Sequence, residues 1–350
     1  MKKKMGILVL VVAMCMTTVT GCGSLDDKAV IATVGDTKIS AGVANFYVRW
    51  QQAQYETYYA SFMGKDMWSS KISDGVTYED SIKDASLKML ETMYALKNHS
   101  KDYEVTITEE EQNTIDKTAK QFVESNGLAE KKIVSGSEKK TVAEVLSLMM
   151  IQEKMKKVIV ADVNTEVSDE EATQKGMQYV SFPFTTTATD GTATQLTEEE
   201  IATLKETAKT FATGAKEASD FAAYATEAGY KAETATFDAK STTVNQELVK
   251  VADTLGEGQV SDLVETENGC YVAKVTTLLD REGTDAKKLT IVKERQQKKF
   301  EEVSKKLLKK DGAKVNKSTW NKIDFEKQGV VVKEVNTKPY TDGPATEKEK

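Results

Sequence analysis

The order of strands and helices between residues 166 and 285 limits this chain to a small set of folds. The stretch "MQYVSFPF" alternates apolar and polar residues, which predicts a strand. Two helices follow, one behind a capping box that begins at Thr197 and one capped by Asp220. An extended "ETATFDA", a helix "NQELVKVADTL" and two closing strands within 254–275 complete the order β-α-α-β-α-β-β. This order predicts an α+β domain in which helices cover a small sheet.

Helical patterns flank that domain on both sides. A predicted hairpin at 30–40 precedes an aromatic-rich helix, and a capping box at Thr108 opens another helix. A further capping box at Thr141 is expected to open the helix "VLSLMMIQEKMKKVIV". After Asp280 the apolar residues again follow a helical spacing. Inside the α+β domain, the Thr- and Gly-rich stretch 185–195 predicts a mobile loop.

The first residues have the pattern of an export signal. Three lysines at positions 2–4 precede a short apolar stretch, Gly6–Met16, which is too short to span a bilayer. "VTGC" then places an aliphatic and two small residues before Cys22, as in bacterial lipoprotein signals. The pattern predicts a diacylglyceryl group on Cys22 that anchors the chain to the outer face of the bacterial cell membrane. A plain secretory signal with a chance cysteine is the alternative.

These patterns divide the chain into six predicted segments. They are a signal peptide (1–21), a tether (22–29), the first part of a helical domain (30–165), the inserted α+β domain (166–285), a C-terminal helix and extended segment that complete the helical domain (286–336), and a disordered tail (337–350).

Charge and the scarcity of cysteine and histidine exclude several classes of function. The net charge is -7, which argues against nucleic acid as a partner. Once Cys15 is removed with the signal and Cys22 is acylated, Cys270 has no partner for a disulfide, and we expect it to be a small buried hydrophobe. His99 is the single histidine, which excludes His-rich zinc sites. We expect His99 to be solvated at a helix end, and we expect neither a metal nor another cofactor.

Three stretches resemble the PrsA-like and SurA-like extracytoplasmic foldases. "AVIATVGDTKISAGVANFYVRW" resembles the hairpin and helix that open those proteins, and "VSDEEATQKG" resembles the short helix before their parvulin (PpiC-type) domain. "LGEGQVSDLVETENGCYVAKV" is similar to the end of a parvulin domain. The resemblance implies a parvulin-like domain inserted in a helical domain, prolyl isomerase activity, and unfolded or extended segments of secreted proteins as partners. It leaves open whether the chain forms a homodimer.

The chain departs from the parvulin pattern at the residues that the resemblance assigns to catalysis. Tyr179 and Tyr271 stand where the family has its two histidines, and the glycine-rich stretch expected within 232–243 is missing. The apolar pocket positions fall on Val244 and Leu248. These departures predict weak or lost isomerase activity. Two alternatives stay open: an active, divergent isomerase that uses the two tyrosines, and tyrosines that only fill the core.

The helical region is rich in aromatic and methionine side chains that suit varied partners. As a predicted client-binding surface we single out Trp50, Tyr55, Tyr58, Tyr59, Met149 and Met150. Ordinary core packing is the alternative for each of these residues. A different class, the solute-binding lipoprotein of a transporter, shares the anchor and the length but predicts two α/β lobes.

Overall fold

The computed structural model describes residues 13–16, 25–64, 66–125, 138–187, 191–325 and 330–333. In chain order the helices are α1 (Ala41–Met63), α2 (Tyr78–Asn98), α3 (Glu109–Ser125), α4 (Lys139–Ile159), α5 (Asp169–Ala172), α6 (Glu198–Glu217), α7 (Phe221–Glu227), α8 (Gln246–Asp253), α9 (Arg281–Asp311) and α10 (Lys317–Trp320). The strands are β1 (Ala13–Met16), β2 (Val30–Val34), β3 (Thr37–Ser40), β4 (Lys71–Ser73), β5 (Val76–Thr77), β6 (Lys175–Pro183), β7 (Thr185–Thr187), β8 (Ala193–Gln195), β9 (Glu233–Phe237), β10 (Val264–Glu265), β11 (Gly269–Thr277), β12 (Ala313–Val315) and β13 (Val330–Lys333).

The chain folds as two compact units, and the first is built from both chain ends. The described residues within Met1–Asp162 and Lys298–Lys350 form the first unit, and those within Val163–Gln297 form the second. The predicted α+β class is confirmed. The pair of α/β lobes expected of a solute-binding lipoprotein is not found, because the described part of the first unit packs helices around small antiparallel sheets.

The border between the units lies further along α9 than the sequence predicts. The first turns of α9 pack within the second unit, where the backbone N–H of Gln174 donates to Thr284 Oγ1 at 3.1 Å. Lys287 Nζ lies 2.9 Å from Asp238 Oδ2, and Arg295 Nη2 lies 2.7 Å from Glu171 Oε1. These contacts hold residues 281–297 to the second unit rather than to the first.

A three-stranded antiparallel sheet joins the two ends of the chain in the first unit. Its order is β12-β2-β3, so a strand from the end of the chain pairs with the predicted hairpin near the start.

Helix α2 begins with a capping box between Thr77 and Asp80, as the local sequence favours. The box predicted at Thr141 is wrong: α4 already begins at Lys139, so Thr141 lies inside its first turn.

Residues 320–325 are enclosed by α1 and α2. Trp320, Ile323 and Phe325 are buried in the same core as the first helices. The backbone of this segment pairs with no strand, and charged side chains form hydrogen bonds with its N–H and C=O groups instead. Arg49 Nη2 donates to the carbonyl of Asp324 at 2.9 Å, and Glu79 Oε1 accepts from the N–H of Phe325 at 2.9 Å. Since buried backbone groups must be paired, these side chains fix the path of the segment.

The end of the described chain is partly extended, as predicted. β13 pairs antiparallel with β1, which lies in the predicted signal segment, and β13 packs near α1. Lys317–Trp320 differs from the prediction, because Asn316 Oδ1 caps a helical turn there. The predicted tail 337–350 lies outside the described residues.

The single histidine is buried, which corrects the expectation of a solvated side chain. His99 is 8% exposed, and its two ring nitrogens each lie 2.8 Å from a carboxylate, Asp102 Oδ2 and Asp311 Oδ1. Asp311 also accepts from Asn98 Nδ2 at 2.9 Å. Local spacing could not reveal this contact, because Asp311 is 212 residues from His99. The cluster ties the end of α9 to the end of α2.

We expect this cluster to make the stability of the first unit depend on pH. The hydrogen bond with Asp102, and then the one with Asp311, raises the pKa of His99 above its ordinary value. The contribution is therefore fully present below the unfolded pKa of about 6.5 and is lost as the pH rises through the higher folded pKa. We expect a loss of about 1 kcal/mol in the free energy of unfolding, which is the usual net contribution of one hydrogen bond in a protein. Urea unfolding at pH 6 and pH 9 measures it. An equal pH difference in His99→Gln would show that other groups cause it.

The second unit contains the predicted four-stranded sheet. The strand order is β10-β11-β6-β9, and every pair is antiparallel. One face packs under α6 and α7 through Val180, Phe182 and Val272. Cys270 lies on this face with no exposed surface, and burial raises the pKa of its thiol, as expected for a structural cysteine. The other face packs under α8.

The stretch predicted as a mobile loop has regular structure at both ends. β7 and β8 pair antiparallel, with Thr185 opposite Gln195 and Thr187 opposite Ala193. Threonine is β-branched and favours strands, and in the structure this preference outweighs the loop signal of Gly191 on which the prediction rested. Residues 188–190, between the two strands, lie outside the described part of the chain.

Candidate functional site

The structure brings Tyr179 and Tyr271 together on one face of the four-stranded sheet. Tyr179 lies on β6 opposite Ala273, and Tyr271 lies on β11 opposite Ser181, so the two are diagonal neighbours. Their ring centroids are 6.4 Å apart with planes inclined by 53°. Side chains alternate between the faces of a strand, so both rings point to the face that α8 covers. Both rings are half-buried and remain reachable from solvent.

The hydroxyl of Tyr179 is engaged by a carboxylate from the edge strand. Glu233 lies opposite Tyr179 on β9, and the Tyr179 hydroxyl donates to Glu233 Oε2 at 2.9 Å. Burial, and then this carboxylate, raises the pKa of Tyr179 to about 12. Tyr179 is therefore a neutral hydroxyl whose proton is directed at Glu233. The hydroxyl of Tyr271 makes no hydrogen bond with the residues that the structure describes.

The two predicted apolar pocket positions lie in the same cluster but differ in access. Leu248 has no exposed surface, whereas Val244 is half-buried. Asn245 separates them and caps α8, because its Oδ1 accepts from the N–H groups of Glu247 and Leu248. Leu248 therefore supports the tyrosines from within the core, and Val244 is the position that a ligand could contact.

The six predicted client-binding residues are divided between surface and core. Tyr58 and Tyr59 are 67% and 46% exposed. Tyr55 is half-buried and stacks on Tyr59, with ring centroids 5.8 Å apart. Met149 packs against the core and is only partly buried. These four residues remain accessible to a partner.

The other two of the six are a core residue and a residue that lines a small niche. Met150 is buried, so it is part of the core. Trp50 is half-buried and lines a niche of about 30 Å³ together with Phe46 and Phe122. That volume holds about one water molecule, which is too small for a client side chain.

Three further expectations concern lipid, metal and membrane. Cys22 lies outside the described residues. Within the described ranges, no group of three or more His, Cys, Asp or Glu side chains is arranged to hold a metal ion. In the same ranges, no helix is long and apolar enough to cross a bilayer.

Two residues of these surfaces were not among the predicted site residues. Glu233 was unremarkable in "ETATF", and only the pairing of β9 with β6 brings its carboxylate to Tyr179. Phe62, near the end of α1, is 90% exposed. Its position one turn beyond Tyr58 and three residues beyond Tyr59 could have indicated that it shares their side of the helix.

The arrangement on the sheet suits binding better than acid–base chemistry. Two aromatic rings and Val244 offer an apolar surface, and Tyr271 offers a free hydroxyl beside it. Tyr179 is neutral at physiological pH and already donates to Glu233. The site can therefore hold an apolar group and supply one hydrogen-bond donor.

Comparisons with known proteins found one matching family and several similar structures. Residues 149–287 match the PPIC-type PPIASE domain family. The foldase PrsA from Streptococcus pneumoniae is similar at 18% identity, over 73% of this chain and 96% of that one, with a TM-score of 0.29. The peptidylprolyl isomerase PrsA from Bacillus cereus is similar at 20% identity, over 71% and 95%, with a TM-score of 0.34.

A SurA-like chaperone from Campylobacter jejuni is similar at 13% identity, over 82% of this chain and 99% of that one, with a TM-score of 0.29. No curated protein sequence matches the chain. The match over residues 149–287 confirms the predicted parvulin resemblance: this part of the chain is similar to the PPIC-type PPIASE domain family.

Proposed function

We propose that this protein is an extracytoplasmic foldase that binds unfolded segments of secreted proteins and has weak or no prolyl isomerase activity. The parvulin-type domain supports a role on proline-containing clients. The similar proteins from Streptococcus and Campylobacter are described as a foldase and a chaperone. The lipoprotein-like signal before Cys22 supports export and a lipid anchor at the outer face of the cell membrane. Homodimer formation stays a prediction.

The state of Tyr179 is the observation that carries the proposal of weak catalysis. Rotation about the X–Pro bond must overcome a barrier of about 18–20 kcal/mol in the amide. An enzyme lowers this barrier with an apolar grip on proline and with polar groups that favour the twisted amide. Here the proton of the Tyr179 hydroxyl is directed at Glu233, so this hydroxyl does not offer it to a client. Of the two tyrosines, only Tyr271 has a free donor.

Client binding is assigned to an exposed aromatic face at the end of α1. We call Tyr58, Tyr59 and Phe62 the aromatic face of α1. All three side chains are exposed. Tyr59 stacks on Tyr55, whose ring lies 6.5 Å from that of the buried Trp68. Exposed apolar groups held in place by the core are typical of surfaces that bind other proteins.

The triple variant Tyr58→Ser, Tyr59→Ser, Phe62→Ser tests this assignment. We expect the unaltered chain to suppress aggregation of an unfolded secreted protein. The variant should require about a tenfold higher concentration for the same suppression, since large aromatic side chains dominate binding energy at interfaces. Stability should change little, because these side chains are exposed. Light scattering during dilution from urea measures the suppression.

A matched control places serine at exposed apolar positions elsewhere. Ile72→Ser and Leu289→Ser remove side chains that are 53% and 65% exposed. They should leave suppression unchanged. Equal suppression by the triple variant and the unaltered chain would contradict the assignment, and no suppression by the unaltered chain would contradict the proposed function.

An active, divergent isomerase is the second candidate. The free hydroxyl of Tyr271, in the same apolar cluster as the partly buried Val244, favours it. A donor above an apolar surface is the minimum that a prolyl isomerase needs. The two candidate functions predict different rates of prolyl isomerisation but the same binding of clients.

A further inference from the structure

Charge is distributed unequally between the two units. Residues 163–297 contain 24 acidic and 13 basic side chains, a net charge of -11. The rest of the chain contains 31 acidic and 35 basic side chains, a net charge of +4. The parvulin-type domain therefore attracts cationic segments and repels anionic ones.

Several acidic side chains around the sheet are neutralised by a lysine. Lys175 Nζ lies 2.9 Å from Asp253 Oδ1, and Lys205 Nζ lies 2.6 Å from Glu265 Oε2. Glu233 differs: it is exposed and has no cation within 4 Å among the described residues. Its one side-chain partner in the described structure is the neutral hydroxyl of Tyr179. The negative charge of Glu233 is therefore available to a ligand.

The hydrogen bond also fixes where this charge lies. Tyr271, Tyr179 and Glu233 follow one another across β11, β6 and β9. The two rings are 6.4 Å apart, which is about the length of two residues of an extended chain, at about 3.3 Å per residue. When the proline of a client lies at Tyr271, the adjacent residue therefore lies between the two rings, and a long side chain at that position extends over Tyr179 to the Glu233 carboxylate.

We infer that Glu233 makes the site select client segments with Lys or Arg next to proline, and discriminate against those with Asp or Glu there. This inference rests on the proposed function, because it requires a client at the two tyrosines. A long basic side chain reaches the carboxylate, whereas an acidic one meets its charge and the charge of the whole domain.

Binding of labelled peptides to the full chain tests the inference without relying on catalysis. Fluorescence anisotropy at low salt would compare peptides that contain Lys-Pro, Ala-Pro or Glu-Pro and are otherwise identical. We expect Lys-Pro to bind about threefold more tightly than Ala-Pro, as for a partly exposed ion pair, and Glu-Pro to bind more weakly. The preference should decrease as salt is added.

Two variants separate the local charge from the overall charge. Glu233→Gln keeps an oxygen that accepts from Tyr179 but removes the charge, and it should abolish most of the Lys-Pro preference. Glu217→Gln makes the same change of net charge on α6, which packs on the opposite face of the sheet, and it should keep the preference. Circular dichroism would verify that both variants are folded.

The outcomes distinguish this inference from the proposed function. Equal affinities for the Lys-Pro and Glu-Pro peptides, a preference that survives in Glu233→Gln, or binding of none of the peptides would overturn the inference. Aggregation suppression can persist in each of those cases and would then leave the foldase proposal standing. Conversely, a Lys-Pro preference without any suppression would support the site and contradict the foldase proposal.

Discussion

Phe325→Ala is expected to lower the free energy of unfolding of the first unit by about 3–5 kcal/mol, the usual loss when a buried phenylalanine is truncated. Phe325 is 1% exposed, its ring lies 4.7 Å from that of Trp68, and the guanidinium of Arg49 lies 5.4 Å from its centroid. The variant would leave a cavity between helices from the start of the chain and a segment from its end. Urea unfolding followed by tryptophan fluorescence measures the loss, because Trp68 reports on this contact.

The same substitution at an exposed position is the control. Phe62 belongs to the same unit but is 90% exposed, so Phe62→Ala should change the free energy of unfolding by less than about 0.5 kcal/mol. A similar, small effect of both substitutions would mean that residues 320–325 do not complete the first unit in solution.

Arg49→Met is expected to lower the free energy of unfolding by about 3–5 kcal/mol, because it removes one member of a buried network of charged and polar groups. Arg49 is 2% exposed and donates to Gln52 Oε1 at 2.7 Å and to the carbonyl of Asp324 at 2.9 Å. Burial lowers its pKa to about 10, while Glu79, Asp324 and Glu56 act in the opposite direction, so it stays charged at neutral pH. Without it, buried acceptors lose their donors.

Arg49→Lys should restore only part of the loss. A single ammonium keeps the charge but lacks the planar fork that serves Gln52 and Asp324 together. Arg281→Met is the control for an exposed arginine: its ion pair with Asp169, at 2.8 Å, is open to solvent and should contribute little to the free energy of unfolding. Equal losses in Arg49→Met and Arg281→Met would contradict the buried network.

Local sequence patterns predicted many helices and strands of this fold, because helix capping and strand alternation depend on residues that are only a few positions apart. The capping boxes at Thr108 and Thr197 are formed as expected, and Asp220 caps α7. The order of strands and helices in the second unit was predictable for the same reason. The strand alternation in "MQYVSF" also predicted which residues of β6 share a face.

Contacts between distant parts of the chain were beyond local patterns. Nothing near His99 in sequence indicates Asp311, and nothing near Arg49 indicates residues 320–325. Such contacts depend on how elements pair in space.

The candidate site shows the same limit. The resemblance led to Tyr179 and Tyr271, and the structure places them side by side. The resemblance could not reveal that Leu248 is wholly buried or that Glu233 accepts a hydrogen bond from Tyr179. Both features follow from packing and strand register.

The rate of cis–trans isomerisation of a proline peptide in the presence of the full chain tests the central claim most directly. Uncatalysed exchange takes tens to hundreds of seconds, and the account predicts that the chain, even at saturating concentration, shortens it less than about tenfold. A large, saturable acceleration that is lost in Tyr271→Phe would contradict the account and establish an active isomerase.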